Sequence, residues 1–381
     1  MPQQLSFAKA GLLSPKTLRN EIVQGVDQMR DLNGGDGYVS ANSLFPVVDL
    51  EAPTEAYFTI GGAMGPMSHV SRTGESPIGT LGDINEKDIT TEFYSKKLAP
   101  EKEVDEKLNS ERQILSLYEW GAGQLRGETF LTREQIAWQG NDVTDGLIGQ
   151  DGDTPHPDLP SSNVLDDLDS WEDQENAKPY QNLEYASYLI DDTYQGFLDA
   201  DAPSDVQVTM PPSLFRDMKF NEDMQSRFQG VEVWGLTDDQ VRNLLSDEVP
   251  TINKCRVKLP RMDEDGNYLD EEGEVVDDIE DAHMDNVLEP YDPSIDDTRR
   301  CAVVGTPGPS SAFIPAYDGN EGPFDDANAP SQGDKVDFDN DSMFGTQTWM
   351  GHDPRVTWLK SFQDIGFHLH LPEHWVLLMD I

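Results

Sequence analysis

Three histidines near the end of the sequence come closest, by type and spacing, to a metal site. His368 and His370 are two positions apart, so in a β-strand their side chains would point to one side of the sheet and could share a metal ion. His374 follows only after Pro372, and no His-Glu-x-x-His pattern accompanies the three. We therefore expect surface histidines of a strand. A halophilic metal-dependent hydrolase that uses His368 and His370 stays open as an alternative function.

Two further segments resemble ligand-binding loops but lack the residues that such loops need. A calcium loop that starts at Asp263 should have Gly at its sixth position, where the sequence has Tyr268. Residues 263–281 contain eleven acids and no base, and we expect an exposed acidic hairpin or insertion there. The Gly-rich segment 305–309 matches neither common phosphate-binding glycine pattern. The sequence thus predicts no catalytic residue, no cofactor-binding residue, no metal ligand and no cofactor, which is typical of a protein that is not an enzyme.

The cysteines, the hydropathy and the basic residues exclude other classes of protein. Cys255 and Cys301 form no Cys-x-x-Cys pair, so neither a disulfide framework nor a structural zinc site is indicated. The longest apolar run is 375–379, far short of the roughly 20 residues that cross a bilayer. The N-terminus has no apolar core typical of a secretory signal, which disfavours a secreted adhesin or surface-layer module. Basic residues form no cluster that would grip nucleic acid.

Charge is the dominant property of the chain. Its 381 residues carry 73 acidic and 27 basic side chains, a formal net charge of -46, and 9% of them are aromatic. Disordered acidic segments are poor in aromatic residues, so we expect a folded protein. The net charge is -9 in residues 1–150, -15 in 151–260 and -22 in 261–381, so the acidity is not confined to a tail. Salt of about 1 M shortens the reach of such repulsion to about 3 Å, and we interpret the chain as adapted to multimolar salt in a haloarchaeal setting.

The predicted elements begin with two thin extensions. Residues 1–53 contain short helical stretches and turns, and we expect an arm that lies on another element. Residues 54–99 favour a long hairpin, because Ala56–Ile60 and Asp88–Tyr94 have strand propensity. The Gly-rich stretch between these strands is longer than compact domains usually contain, which indicates a loop that has a function or binds a partner, and a flexible surface loop is the alternative.

The rest of the chain alternates helices and strands, which indicates an α/β or α+β unit. Residues 100–139 form the best helical region, whose glycines also allow an irregular helix, and we expect it to stop at Gly140. The elements expected after it are a helix at 183–198, a strand at 206–210, a helix that starts at Pro211, and strands at 231–235 and 300–305. A strand pair is expected at the end, where alternating apolar residues precede Pro372 and the fully apolar 375–379 follows it. We expect this pair to return the chain to its main core.

Three segments carry a resemblance to a known family. They are DITTEFYSKKLAPEKEVDEKLNSERQILSLYEWGAGQLRGE, VQVTMPPSLFRDM and DPRVTWLKSFQDIGFHLHLPEHWVLL. With the order of arm, Gly-rich hairpin, long helix, α+β middle and final strand, they resemble the major capsid protein of tailed viruses, the Hong-Kong-97-type fold. The similarity is closest to the head proteins of haloarchaeal tailed viruses, and it covers most of the chain without a short diagnostic motif.

The resemblance implies four parts of a capsid subunit. They are an N-terminal arm at 1–53, an extended hairpin loop across a neighbouring subunit at 54–99, a peripheral domain with a long spine helix at 100–180 and 351–381, and an axial domain at 181–350 with an acidic insertion near 263–281. Some relatives crosslink a lysine in the hairpin region, but the spacing of Lys87, Lys96 and Lys97 gives no reason to predict that reaction here. Because the sequence starts at Met1, we expect no cleaved scaffolding segment ahead of the arm.

The same resemblance implies a structural function. The chain would assemble with itself into hexamers and pentamers that close an icosahedral head around double-stranded DNA, without sequence-specific contact to the DNA. Portal and decoration proteins would be further partners, and no membrane would be involved. Assembly would take place in the host cytoplasm at high salt, and the product would be the capsid of the virion. An encapsulin-like cellular compartment with the same fold is an alternative. DNA inside the particles would indicate a virus head, and a cargo enzyme would indicate a compartment.

Overall fold

The fold is described in parts along the chain. A computed structural model describes residues 41–45, 54–60, 84–90, 92–98, 117–141, 144–193, 206–227, 235–246, 249, 251–263, 267–292, 294–295, 297–306, 311–315, 335–339, 344–350, 357–369 and 372–381. These residues form α-helices together with several β-sheets, in agreement with the predicted α+β class. None of the helices in these ranges is long and apolar enough to cross a membrane.

Six α-helices occur in the described ranges. They are α1 (Ala41–Leu44), α2 (Leu117–Trp138), α3 (Pro179–Thr193), α4 (Pro212–Phe220), α5 (Glu222–Arg227) and α6 (Asp238–Leu245). Short 3-10 helices lie at Ser161–Asn163 and Pro372–His374.

The strands of the same ranges number eighteen. They are β1 (Thr54–Ile60), β2 (Ile84–Thr90), β3 (Glu92–Leu98), β4 (Val164–Leu165), β5 (Gln207–Met210), β6 (Thr251–Lys254), β7 (Lys258–Pro260), β8 (Tyr268–Leu269), β9 (Val275–Val276), β10 (Met284–Asn286), β11 (Tyr291–Asp292), β12 (Asp297–Thr298), β13 (Ala302–Gly305), β14 (Ser311–Pro315), β15 (Lys335–Asp339), β16 (Phe344–Met350), β17 (Thr357–Leu369) and β18 (Trp375–Leu378).

The longest helix, α2, stops where the sequence predicts. Gly140 has φ +74°, in the left-handed region, and its N–H donates to the Gln135 carbonyl at 2.8 Å. A Cβ at Gly140 would lie 2.3 Å from the backbone nitrogen of Gly146, so only glycine fits. The predicted stop is confirmed, while residues 100–116 of the predicted helix lie outside the described residues.

A five-stranded mixed sheet, which we call the central sheet, has the order β4-β18-β13-β5-β6. Successive residues of β18 point to opposite faces, and each face meets its own core. Trp375 and Leu377 belong to a core that includes α1 and α2, and Val376 and Leu378 to a second core that includes α3, α4 and α6. This double burial explains why 375–379 is apolar at every position, as in a strand covered on both faces.

A second five-stranded sheet, the outer sheet, is built around the long strand β17. It has the order β14-β17-β16-β15, and β3 also pairs with β17 from Leu359↔Leu98 to Ile365↔Glu92. Helix α2 packs on one face of this sheet, where the Thr129 and Ser361 hydroxyls share a hydrogen bond of 3.1 Å. The sheet and the helix together therefore position the base of the hairpin β1–β2.

The prediction that the last two strands pair with each other is wrong. Strand β17 belongs to the outer sheet and β18 to the central sheet. The 3-10 turn at Pro372–His374 separates them, because proline fixes its own φ and lacks the N–H that a ladder requires. The last strand does return to the core, as predicted, but as an inner strand of the central sheet between β4 and β13.

Most other predicted elements are present, with shifted ends. The strand at 206–210 is confirmed by β5, the helix from Pro211 by α4, and the strand at 300–305 by β13. The helix predicted at 183–198 begins earlier, at Pro179 in α3, and residues 231–234 lie outside the described residues. The division into peripheral and axial domains stays a prediction. The central sheet combines β4 and β18 from the first with β5, β6 and β13 from the second.

Candidate functional site

The histidines do not come together as a metal site in the described residues. His368 lies on β17 opposite Ala312 of β14 and is half-buried, whereas His370 lies outside those residues. His374 is buried in the 3-10 turn, and burial lowers the pKa of its imidazole. Across the described ranges, no three His, Cys, Asp or Glu side chains are grouped as a metal ion requires. The hydrolase alternative therefore gains no geometric support.

The acidic segment forms the exposed hairpin that its composition predicts. Strand β8 pairs antiparallel with β9, and we call residues 267–281 the acidic hairpin. The carboxylate of Asp263 forms local hydrogen bonds. Its two oxygens accept from the backbone and side-chain N–H groups of Asn267 at 2.7 and 2.9 Å. Exposed glutamates and aspartates line the tip between and after the strands.

The glycine and the cysteines that could have carried chemistry have packing roles. A Cβ at Gly305 would lie 2.2 Å from the indole of Trp375, so this glycine makes room for a ring on the neighbouring strand. Cys255 and Cys301 are buried free thiols, and burial raises the pKa of Cys301 to about 12 and that of Cys255 further. Thiols with such high pKa values are poor nucleophiles at neutral pH.

An open cleft of about 720 Å³ lies between the loop after α2 and strands β7, β10 and β11. Its lining includes Asp151, Asp285 and Asp292 but no His, Cys or Lys. Arg261 in the cleft donates to Asp285 at 2.8 and 3.2 Å and lies 4.2 Å from the ring centroid of Tyr291. These charges stabilise the cleft wall and form no pair of nucleophile and base.

The hairpin formed by β1 and β2 belongs to neither of the two five-stranded sheets. The two strands pair antiparallel over seven positions, from Thr54↔Thr90 to Ile60↔Ile84, as a two-stranded sheet. The strand predicted at Asp88–Tyr94 is instead divided between β2 and β3, and β3 joins the outer sheet. An isolated two-stranded ribbon is at best marginally stable in water. The hairpin therefore needs a packing partner beyond its own two strands.

The end of the predicted arm is anchored in the core of its own chain. Ala41 and Leu44 of α1 are buried, and so is Phe45, which directly follows the helix. The Phe45 ring packs edge-on against Phe367 and Trp138, with ring centroids 5.0 and 5.5 Å apart, and lies 5.3 Å from Trp375. The rest of residues 1–53 lies outside the described residues. For this short stretch, the elements on which the arm lies belong to its own chain.

A buried carboxylate fixes this anchor. Glu134 of α2 accepts from the backbone N–H of Ala41 at 2.8 and 3.0 Å and from the indole N–H of Trp138 at 3.0 Å. Burial raises the pKa of Glu134 to about 7, while the two hydrogen bonds and neighbouring Arg133 act in the opposite direction. Burial also lowers the pKa of Arg133 to about 10, and its Nε donates to Gln363 of β17 at 3.2 Å. Sequence reasoning missed Phe45 and Glu134, and the only local signal was the four-residue spacing of Glu134 and Trp138, which places both on one helix face.

Two lysines lie opposite each other on neighbouring strands of the outer sheet. In the register of β3 and β17, Lys97 is directly opposite Lys360. Lys96 points to the other face, where it forms an ion pair of 3.6 Å with Glu128 of α2. Lys87 lies on β2 opposite Tyr57. Lys87 and Lys96–Lys97 thus occupy different elements.

The sequence and the structure were each compared with those of known proteins, and only the structure has a similar counterpart. No protein-family model matches the sequence, and no curated protein matches it. A solved structure of a phage-related protein from Bordetella bronchiseptica RB50 is similar over 97% of this chain and 98% of its own, with a TM-score of 0.54 and 11% identity. The two chains share a fold. Because the identity is so low, the likeness concerns the fold alone.

Weaker likenesses extend to two structures whose TM-scores are below 0.5. The capsid of the cyanophage P-SCSP1u is 12% identical, covers 89% of this chain and 88% of its own, and has a TM-score of 0.49. The holo-SrpI encapsulin complex of Synechococcus elongatus PCC 7942 is 9% identical, covers 89% of this chain and 85% of its own, and has a TM-score of 0.43. At these TM-scores neither likeness supports an inference about this chain.

Proposed function

We propose that this chain is the major capsid protein of a tailed virus, a structural subunit that closes a shell with copies of itself. The observation that carries the proposal is the ribbon β1–β2, which pairs within itself over seven positions. Such a ribbon gains stability by packing on further elements, and we propose that these include a neighbouring copy of the chain. The fold shared with a phage-related protein over nearly the whole chain supports the same proposal.

The anchored arm gives the subunit a second contact to neighbours. Ala41–Phe45 is fixed in the core by Glu134 and by aromatic packing. We propose that residues 1–40 extend from this fixed point to adjacent copies, and that residues 54–90 cross a neighbouring subunit. Folding of these extensions is then linked to assembly, because a partner that binds only the folded form stabilises it. Near-equivalent contacts of this kind close into rings, here hexamers and pentamers of an icosahedral head.

Charge determines the conditions and the contents that we propose for the shell. Each copy carries a formal charge of -46, so copies repel one another until salt screens them. We propose assembly in the concentrated salt of a halophilic host's cytoplasm, and a shell that encloses double-stranded DNA without condensing it. An acidic wall releases no counterions from DNA, so the genome would be driven in by other machinery through a portal.

A hairpin deletion tests the proposed function. Residues 54–90 are replaced by a short Gly-Ser linker, and the variant and the unchanged chain are compared by sedimentation in multimolar KCl. The unchanged chain should form closed particles, and the variant should remain as small species. Near-ultraviolet circular dichroism reports whether buried Trp138, Trp171 and Trp375 stay packed in the variant. Particles formed equally well without the hairpin would contradict the proposal, as would an unchanged chain that stays monomeric.

The contents of the particles separate a virus head from an encapsulin-like compartment. Particles isolated from the native source are tested for nuclease-protected double-stranded DNA and for packaged enzyme. Protected DNA is the result expected of a virus head. A cargo enzyme without DNA would assign the same shell to a cellular compartment.

A further inference from the structure

The cleft between the loop after α2 and strands β7, β10 and β11 has walls that are fixed within the subunit. A Cβ added at Gly140 or at Gly146 would lie 2.3 or 2.1 Å from the facing backbone nitrogen, so the loop is held in one tight conformation. Arg299 joins this loop to β11, since it donates to Asp292 at 2.7 Å and forms an ion pair of 3.4 Å with Asp153. The subunit therefore presents a formed cleft to a partner.

The lining of the cleft combines apolar surface with carboxylates. Met262 in the lining is 37% exposed, and Ile295, which follows Ser294 of the lining, is 49% exposed. Four prolines add further apolar surface, namely Pro155, Pro157, Pro260 and Pro290. The charged residues of the lining are six aspartates and one arginine, namely Asp145, Asp151, Asp153, Asp263, Asp285, Asp292 and Arg261. A ligand that matches this cleft carries cations beside apolar side chains.

The first 20 residues of the chain have the complementary composition. They contain three bases and no acid, whereas the whole chain has 73 acids and 27 bases. The bases are Lys9, Lys16 and Arg19, and the large apolar residues near them are Leu5, Phe7, Leu12, Leu13 and Leu18. We call residues 1–20 the basic segment. Complementary charge of this kind selects a partner and excludes surfaces of like charge.

The anchored end of the arm brings the basic segment within reach of the cleft of an adjacent copy. Ala41 is bound to Glu134 of α2, and the next residue of that helix, Gln135, lines the cleft. The arm is therefore fixed at the end of α2 that borders the cleft. Residues 21–40 span at most about 70 Å when extended. This length exceeds the diameter of about 55 Å that a compact chain of this size has.

We infer that the basic segment of one copy binds in the cleft of a second copy, in a contact that rests on the proposed shell. Its cations would pair with the exposed carboxylates of Asp145 and Asp153, and its leucines would cover Met262. The contact would join copies that otherwise repel each other through a charge of -46 each. The apolar part lets the contact persist in brine, because concentrated salt screens exposed ion pairs but does not weaken apolar burial in the same way.

Cross-linking between two differently substituted chains tests this contact. One chain carries M262C in the cleft, and the other carries S6C, S14C or N20C, which leave the cations of the basic segment in place. The two chains are mixed, assembled in multimolar KCl and treated with a short bis-maleimide. We expect a cross-linked dimer that contains one chain of each kind. The native thiols of Cys255 and Cys301 are buried and should not react.

Charge exchange in the same pair of chains tests whether the ions determine the contact. The segment chain receives K16E/R19E, and the cleft chain receives D145K/D153K. Either exchange alone places like charges against each other and should lower the yield of cross-linked dimer about tenfold, a difference of about 1.4 kcal/mol. Mixing the two exchanged chains restores opposite charges, and the yield should return close to that of the original pair.

Matched controls carry the same kinds of change elsewhere. K178E/R216E reverses two exposed cations outside the basic segment, and D166K/D167K reverses two exposed acids outside the cleft. Both should cross-link like the original pair. Y188C replaces M262C with a thiol on the exposed surface of α3 and should give no dimer. Near-ultraviolet circular dichroism of D145K/D153K excludes misfolding as the cause of a lost yield.

The outcomes separate failure of this inference from failure of the proposed function. Particles in which none of the three segment cysteines cross-links to M262C would overturn the inference alone, as would charge exchanges that behave like the controls. A chain with both cysteines that cross-links only within itself would assign the basic segment to its own cleft and likewise overturn it. If the unchanged chain forms no particles, the proposed function itself fails.

Discussion

The carboxylate of Glu134 accepts the backbone N–H of Ala41 at 2.8 Å across a separation of 93 residues. Through this contact, the end of the N-terminal arm becomes part of the core beneath the outer sheet. A carboxylate excluded from water is costly unless it is hydrogen-bonded, and Glu134 has two N–H donors. The contact therefore fixes the end of the arm to the core of its own subunit.

The stability of the fold should depend on pH through Glu134. Its pKa is raised from 4.5 to about 7 by burial, so the folded chain holds the proton more tightly than the unfolded chain between these values. The free energy of unfolding should therefore fall as pH rises from about 4.5 to 7, by at most about 3 kcal/mol from this group. Urea denaturation at several pH values measures the effect.

The matched variant for this measurement is E134Q, which keeps the shape of the side chain and does not titrate. The difference in unfolding free energy between the unchanged chain and E134Q should shrink or change sign as pH rises through the window. Titration of the many other carboxylates affects both chains alike and cancels in the difference. Parallel curves for the two chains would contradict the role given to Glu134.

Removal of the Phe45 ring should destabilise the subunit strongly. Phe45 is fully buried and contacts Trp138, Phe367 and Trp375, which come from three different elements. F45A should lower the free energy of unfolding by about 3–5 kcal/mol, the usual cost of Phe→Ala in a core. Y188A removes an aromatic ring that is 59% exposed on α3 and should cost only about 0.5 kcal/mol. Equal losses for the two variants would show that the arm is not anchored by Phe45.

Salt should stabilise the chain over an unusually wide range. At a net charge of -46, raising KCl from about 0.15 M to about 2 M should raise the Tm, since the screening length falls from about 8 Å to below 3 Å. Neutralising five exposed acids of the acidic hairpin, in E271Q/E272Q/E274Q/D277N/D278N, should make the rise shallower. A Tm that is flat or falls with KCl would remove the halophilic interpretation.

Replacing the paired histidines should leave assembly intact. H368A/H370A removes both candidate ligands, and we expect particles in normal yield and no change in metal content by elemental analysis. His368 lies opposite Ala312 in the outer sheet, so a small loss of stability is compatible with this expectation. Loss of a stoichiometric metal ion together with a hydrolytic activity would instead support the enzyme alternative.

Local signals in the sequence predict much of the fold. Strand β5, the helix that begins after Pro211 and the strand β13 all follow from short-range patterns of apolar and turn residues. Gly140 ends α2 because only glycine fits its backbone conformation. This stop can be predicted from the sequence, because a glycine directly follows the helical pattern. The exposed acidic hairpin follows from composition alone, since eleven acids without a base cannot be buried.

The contacts that define the candidate surfaces depend on distant parts of the chain and could not be predicted in this way. In the sequence, Glu134 looks like an ordinary acidic residue of a helix. Its role becomes clear only from its hydrogen bond to Ala41 in the structure. Gly305 lies at the end of a predicted strand, but the need for glycine there becomes clear only from the Trp375 ring that packs against it. The assignment of β17 and β18 to different sheets is likewise a property of tertiary pairing, which neither the alternating pattern of β17 nor the uniformly apolar β18 specifies.

Electron microscopy of the purified chain in concentrated KCl tests the central claim most directly. We predict closed shells of hexamers and pentamers, with the ribbon of Thr54–Ile60 and Ile84–Thr90 lying across an adjacent subunit in the reconstruction. A compact monomer at every salt concentration, or a ribbon folded back onto its own subunit within a particle, would contradict this claim.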